Sequence, residues 1–126
     1  MIESLLRTLE ARYGGSIPFA RAATLLGVSE RVLLQKVVAR EVMVLDHDNQ
    51  YHFPVFQFVN NGIIPGLSGI LKSAKAPNEE VLSILLEKCL GDDSTYVDLL
   101  KSGITEVELN YLTETLEAYF QGDLAP

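Results

Sequence analysis

Apolar positions recur along this chain at helical spacing, separated by short polar or glycine-bearing breaks. In "IESLLRTLEARY", Ile2, Leu5, Leu6, Leu9 and Tyr13 return every three or four residues, the interval that lines up one face of an α-helix, and Gly14-Gly15 ends the run. Ser16-Ile17-Pro18 then breaks the chain, and Pro18 is suited to open a second helix from about Phe19 to Leu26. Gly27 turns without a side-chain penalty. The hydroxyl of Ser29 is placed to cap a third helix, Glu30 to about Arg40, by accepting an otherwise unpaired backbone N–H. Two helices parted only by Gly27-Val28-Ser29 have the outline of a helix-turn-helix. Ala22 and Ala23 are small enough for a close crossing, and Leu33 is placed to face the core.

The period then shortens. "VMVL", the five polar residues "DHDNQ" and "YHF" predict a β-hairpin, which directly after a helix-turn-helix is a wing. "PVFQFVNNGIIPGLSGILKSAKAP" is punctuated by prolines and glycines and predicts a short helix or turn, a loop, and a helix near Leu67 to Ser73. Asn78 is the expected cap of the next helix, where Val81, Leu82, Leu85, Leu86, Cys89 and Leu90 form a stripe that Ile84 widens, as in a helix nearly surrounded by protein. A short helix in "GDDSTYVDLLKSG" follows. A last one begins after Thr105, with Glu108 at capping-box spacing.

The fold these elements predict is mainly α: a winged helix-turn-helix with a short β-hairpin, then a small helical bundle. The first module covers 1–58 and the second 59–126, with Phe53, Val55, Phe56 and Phe58 joining them in a shared core. A chain of 126 residues with 48% apolar composition can bury such a core. No stretch approaches the roughly 20 apolar residues of a membrane span, and the charged N-terminus is unlike a signal peptide, so a cytoplasmic location is expected.

Charge divides the chain unevenly. Through Leu45 there are six basic and four acidic residues; from Asp46 onward there are four basic and thirteen acidic, within a total of -7. An acidic half repels phosphates, yet a mildly basic module still docks on DNA if the acidic part sits beyond the screening distance of about 8–10 Å. The polar side chains of the third helix make Ser29, Arg31, Gln35, Lys36 and Arg40 the candidate DNA contacts, although Leu34 and Val38 make it greasier than a groove-facing helix usually is. A helical hairpin that keeps this shape for protein contacts is the alternative.

Catalytic chemistry is not spelled out, and no enzyme, metal or cofactor is expected. His47 and His52 flank the hairpin turn beside Asp46 and Asp48 without a third strong ligand, which fits a solvated wing tip better than a metal site. Cys89, the only cysteine, lies on an apolar stripe and is expected to be a buried thiol. In the last helix Leu109, Leu112, Leu116 and Phe120 make an apolar face longer than the edge of a small monomer needs, and this face is the expected seam of a homodimer.

"SIPFARAATLLGVSERVLLQKVVAREVMVLDHDNQYHFPVFQF" resembles the excisionase-like or MerR-like winged helix-turn-helix modules of bacterial regulators. "FPVFQFVNNGIIPGLSGIL" resembles the "FPxxQF … G … PGL" stretch of Xre/MbcA/ParS-type antitoxins, and "LLEKCLGDDSTYVDLLKSGITEVELNYL" is similar to their toxin-binding region. Asp92-Asp93-Ser94-Thr95 replaces the family's usual glycine and proline, and Phe56 stands where tryptophan is common. The resemblance implies a dimeric type II antitoxin that represses its own operon at an operator and neutralises a co-encoded toxin. A stand-alone phage, plasmid or chromosomal regulator, and a protein-binding adaptor without DNA binding, are the alternatives.

Overall fold

The computed structural model describes residues 2–87 and 94–120; Cys89, Leu90 and Asp92-Asp93 lie outside the described residues. The described chain is mainly helical, with a three-stranded sheet and a separate two-stranded hairpin. Helix α1 (Ile2–Arg12) leads through Gly14 and Gly15, both at φ 80°, into strand β1 (Ser16–Ile17). Helices α2 (Phe19–Leu26) and α3 (Glu30–Val38) follow, with Gly27 at φ 68° between them and the Ser29 hydroxyl accepting from the Val32 N–H at 3.2 Å. Both the turn and the cap are those expected from the local residues.

Strands β2 (Leu45–His47) and β3 (Gln50–Pro54) form the hairpin. Its turn is two residues rather than five, because Asp48 and Asn49 both take positive φ, 53° and 60°, a conformation that Asn and Asp tolerate and that suits the twist of paired strands. The pairing therefore extends to His47 opposite Gln50, and β3 also pairs antiparallel with β1, which brings Ile17 opposite Phe53. Val42 and Met43 precede the strand and are fully buried.

A 3-10 turn over Val55–Gln57 leads to a second hairpin, β4 (Phe58–Val59) with β5 (Gly62–Ile63), turned by Asn60 and Asn61 at positive φ. The expectation here was a loop; Asn-Asn-Gly supplies the same left-handed geometry as the first turn. Helices α4 (Leu67–Ala74), α5 (Asn78–Leu85), α6 (Tyr96–Gly103) and α7 (Glu106–Phe120) complete the described chain. Thr105 and Glu108 close the expected capping box, and Thr95 with Asp98 closes another at the start of α6. Asn78 does not cap α5: Pro77 holds that position, and the Asn78 amide donates instead to the Val44 carbonyl at 3.0 Å.

Two apolar clusters organise the packing. The smaller contains Ala22, Ala23, Leu33, Val42 and Phe53, so α2 and α3 close on the sheet. The larger gathers helices α4 to α7 with Leu5 and Leu9 of α1, Tyr13 just after it, and Met43 and Leu45. The bundle thus takes α1 as a member, although α1 lies in the first of the two modules drawn from the sequence. Ile63 packs against both clusters. Polar groups are matched inside: Tyr13, just after α1, and Thr95, the cap of α6, both buried, share a hydrogen bond of 2.6 Å.

The residues of the expected dimer seam on α7 also pack within the chain. Leu112 and Leu116 are each 1% exposed within the larger cluster, and Leu109 and Phe120 pack against it. This chain itself covers Leu112 and Leu116, and leaves Leu109 and Phe120 partly exposed. The periodicity was real, but it identified a buried face without identifying what buries it.

Candidate nucleic-acid interface

Leu33 anchors α3 in the small cluster and thereby turns the opposite side of the helix to solvent. Arg31, Leu34, Gln35 and Val38 share that outer side, at the i, i+3, i+4 and i+7 positions of one helical face. They line a shallow groove with Ala39. Arg31 and Gln35 are both exposed and one turn apart.

The other three candidates have different surroundings. Ser29 is occupied as the cap of α3. Lys36 is at the flank, 3.7 Å from Glu41, in an ion pair exposed enough to contribute little to stability. Arg40 is not a groove contact. It lies beyond the end of α3 at φ 60°, and its guanidinium points into the protein. It donates to the carbonyls of Leu71 and Ala76, each at 2.7 Å, and to the Asn78 amide oxygen at 3.3 Å. Leu71 is in the last turn of α4, where carbonyls lack helical partners and carry the negative end of the helix dipole, so Arg40 caps α4 from outside. Burial lowers its pKa from the ordinary arginine value. Sequence spacing placed Arg40 at the end of a polar helix face; the left-handed turn at this residue redirects it.

Two further features belong to this surface. Leu34 and Val38, which make the polar face greasier, are 45% and 78% exposed and alternate with Arg31 and Gln35. Their spacing was the available signal. Arg21 on α2 is also exposed, on the basic side of the chain. The tip of the β2–β3 hairpin is acidic: Asp48 Oδ2 is 3.4 Å from His47 Nε2, and Glu3 Oε1 is 3.8 Å from the same nitrogen. A hairpin tip of this charge does not grip phosphates.

Among the described residues no three His, Cys, Asp or Glu side chains are grouped to hold a metal ion. A polar cleft near Gly14 and Gly15 brings Glu10 and His52 to its walls without a nucleophile between them, apart from the Ser16 hydroxyl at its rim. Among the described residues, no helix is long and apolar enough to cross a membrane. Family models, curated proteins and solved structures were compared with the chain, and none matches it.

Proposed function

We propose that the protein is a winged helix-turn-helix regulator of the antitoxin type, cytoplasmic and dimeric, that uses α3 to read an operator and its acidic helical part to meet a protein partner. The element order α1-β1-α2-α3-β2-β3, with β1 paired to β3, supports the winged-helix reading. The observation that carries the reading is the exposure of Arg31 and Gln35 one turn apart on the outer face of α3. Arginine pairs with guanine and glutamine with adenine through two hydrogen bonds each in the major groove. Dimerisation follows from the small size of one module's site.

The test is a mobility-shift titration of the full chain on the DNA upstream of its own coding sequence at low salt. Arg31→Ala weakens binding to that DNA, by roughly 1–3 kcal/mol, more than binding to random duplex. Equal losses would make Arg31 a phosphate contact, and no binding by the wild type would overturn the reading.

A protein partner is favoured by the outer side of α7, where Val107 and Tyr111 are 79% and 63% exposed among Glu106, Asn110 and Glu114. Such an acidic and apolar strip complements a basic protein surface, as a toxin in the same operon would present. Co-expression of the neighbouring gene with the wild-type chain and with the double variant Val107→Asp/Tyr111→Asp tests this. Rescue from toxicity by the first and not the second supports it. Truncation after Lys75 is no substitute, because it removes the helices on which α1 packs.

A further inference from the structure

We infer that Arg40 and Asn78 form a latch that fixes α2 and α3 at one angle to the helical bundle. The end of α3 carries the first observation. The Glu41 N–H donates to the Lys36 carbonyl at 2.9 Å and the Arg40 N–H to the Val37 carbonyl at 3.1 Å, a helix ending that puts Arg40 in the left-handed region. Glycine ordinarily fills that position, because a Cβ there crowds the backbone. Here the residue is an arginine at φ 60°. Its side chain supplies what a glycine lacks.

That supply is three hydrogen bonds into the bundle. Arg40 Nε donates to the Leu71 carbonyl and Nη2 to the Ala76 carbonyl, each at 2.7 Å, and Nη1 donates to Asn78 Oδ1 at 3.3 Å. The Asn78 amide donates in turn to the Val44 carbonyl at 3.0 Å. One cation thus joins the end of α3 to the last turn of α4, to the α4–α5 connection and to the start of α5, and Asn78 ties that junction back to the segment entering β2.

The remaining contact between the two bodies is apolar. Helices α2 and α3 close on the sheet in the small cluster, and Ile63 packs against both clusters. Apolar burial is non-directional, so it holds two bodies together without fixing the angle between them. Hydrogen bonds are directional, and a planar guanidinium aimed at three acceptors is more so. Among the described residues, no other hydrogen bond or ion pair runs from residues 19–40 to helices α4 to α7. The angle of α3 is therefore set at Arg40, and an open latch lets α2 and α3 swing while both clusters stay folded. This goes beyond the DNA-binding reading and does not depend on it, since it concerns the free protein.

The test is a distance measurement by pulsed electron spin resonance on the full chain. Nitroxides are placed at Glu30→Cys on α3 and Lys72→Cys on α4, both exposed, in a Cys89→Ser background. This labelled chain should give one narrow distance distribution. Arg40→Gly keeps the left-handed turn and removes the guanidinium, so it is expected to broaden the distribution about the same mean. Arg40→Ala disfavours the turn as well, and is expected both to broaden the distribution and to shift its mean. Thr105→Ala removes the cap of α7, far from the latch, and controls for lost stability alone; it should leave the distribution narrow. An unbroadened distribution in Arg40→Gly overturns the latch, since apolar packing would then fix α3. Equal broadening in Thr105→Ala also overturns it, because the effect would be general loosening. A broad distribution before any change at Arg40 does the same. If circular dichroism shows that the Arg40 variants do not fold, Asn78→Ala, which removes one acceptor and the bond to Val44, decides: broadening supports the latch and a narrow distribution overturns it.

Discussion

Gln57 completes the backbone of Met43. Its fully buried amide accepts from the Met43 N–H and donates to the Met43 carbonyl, both at 2.8 Å, and gives a further hydrogen bond to the Pro54 carbonyl at 3.1 Å. One side chain thereby does for Met43 what a neighbouring strand would do. The segment entering β2 is held against the 3-10 turn that leaves β3.

Gln57→Leu fills the same volume and leaves the Met43 N–H and carbonyl without partners. A buried group without a hydrogen bond costs about 1–3 kcal/mol. The urea midpoint should fall, corresponding to a stability loss of roughly 2–6 kcal/mol for the two groups. An unchanged midpoint would show that the interior around Met43 admits water.

Arg40→Ala removes three hydrogen bonds and the cation at the end of α4. Stability should drop by about 2–3 kcal/mol. Arg40→Lys restores less than half of it, since one ammonium does not reproduce a planar fork aimed at three acceptors. Because the Arg40 guanidinium is turned inward, the salt dependence of the proposed DNA binding should keep its slope, whereas loss of a phosphate contact lowers that slope by about one.

Asp98 supplies a pH dependence. The backbone N–H of Thr95 bonds its carboxylate at 3.0 Å and holds its pKa below the ordinary 3.8; partial burial opposes this, and Tyr13 and Arg12 assist the lowering. A carboxyl with a depressed folded-state pKa contributes stability that is complete above its unfolded pKa and is lost as pH falls through the folded one. Glu108, held by the Thr105 N–H, acts in the same direction. Acid titration followed by circular dichroism should give a shallower loss of stability below pH about 4 for Asp98→Asn than for wild type.

Gly66 lies at φ 96°, and a Cβ there would meet Leu109 Cδ1 at 3.3 Å and Ile104 Cγ2 and Leu100 Cδ2 at 3.4 Å. Gly66→Ala combines a left-handed backbone with crowding from α6 and α7. A loss of about 1–3 kcal/mol is expected, read as a lower thermal midpoint.

Local chemistry alone determined much of this protein. Periodicity located the helices, Gly27 and Ser29 set the turn and cap before α3, and Thr105 with Glu108 set the start of α7. Each depends on residues within a turn or two of one another. The two Asn-containing turns were also local, yet only one hairpin was read from them, and its turn was drawn too long. Tertiary structure decided the partners. An apolar stripe requires a cover without naming it, so α4 rather than a second subunit lies on α7, and α1 joins the distant helical bundle. Polar side chains obeyed the same logic: Arg40 and Asn78 read as a groove contact and a cap, but unpaired carbonyls at Leu71, Ala76 and Val44, brought close only by folding, claimed them. On α3 the spacing of Arg31, Leu34, Gln35 and Val38 was visible in the sequence, and burial of Leu33 on the opposite side turned that face to solvent.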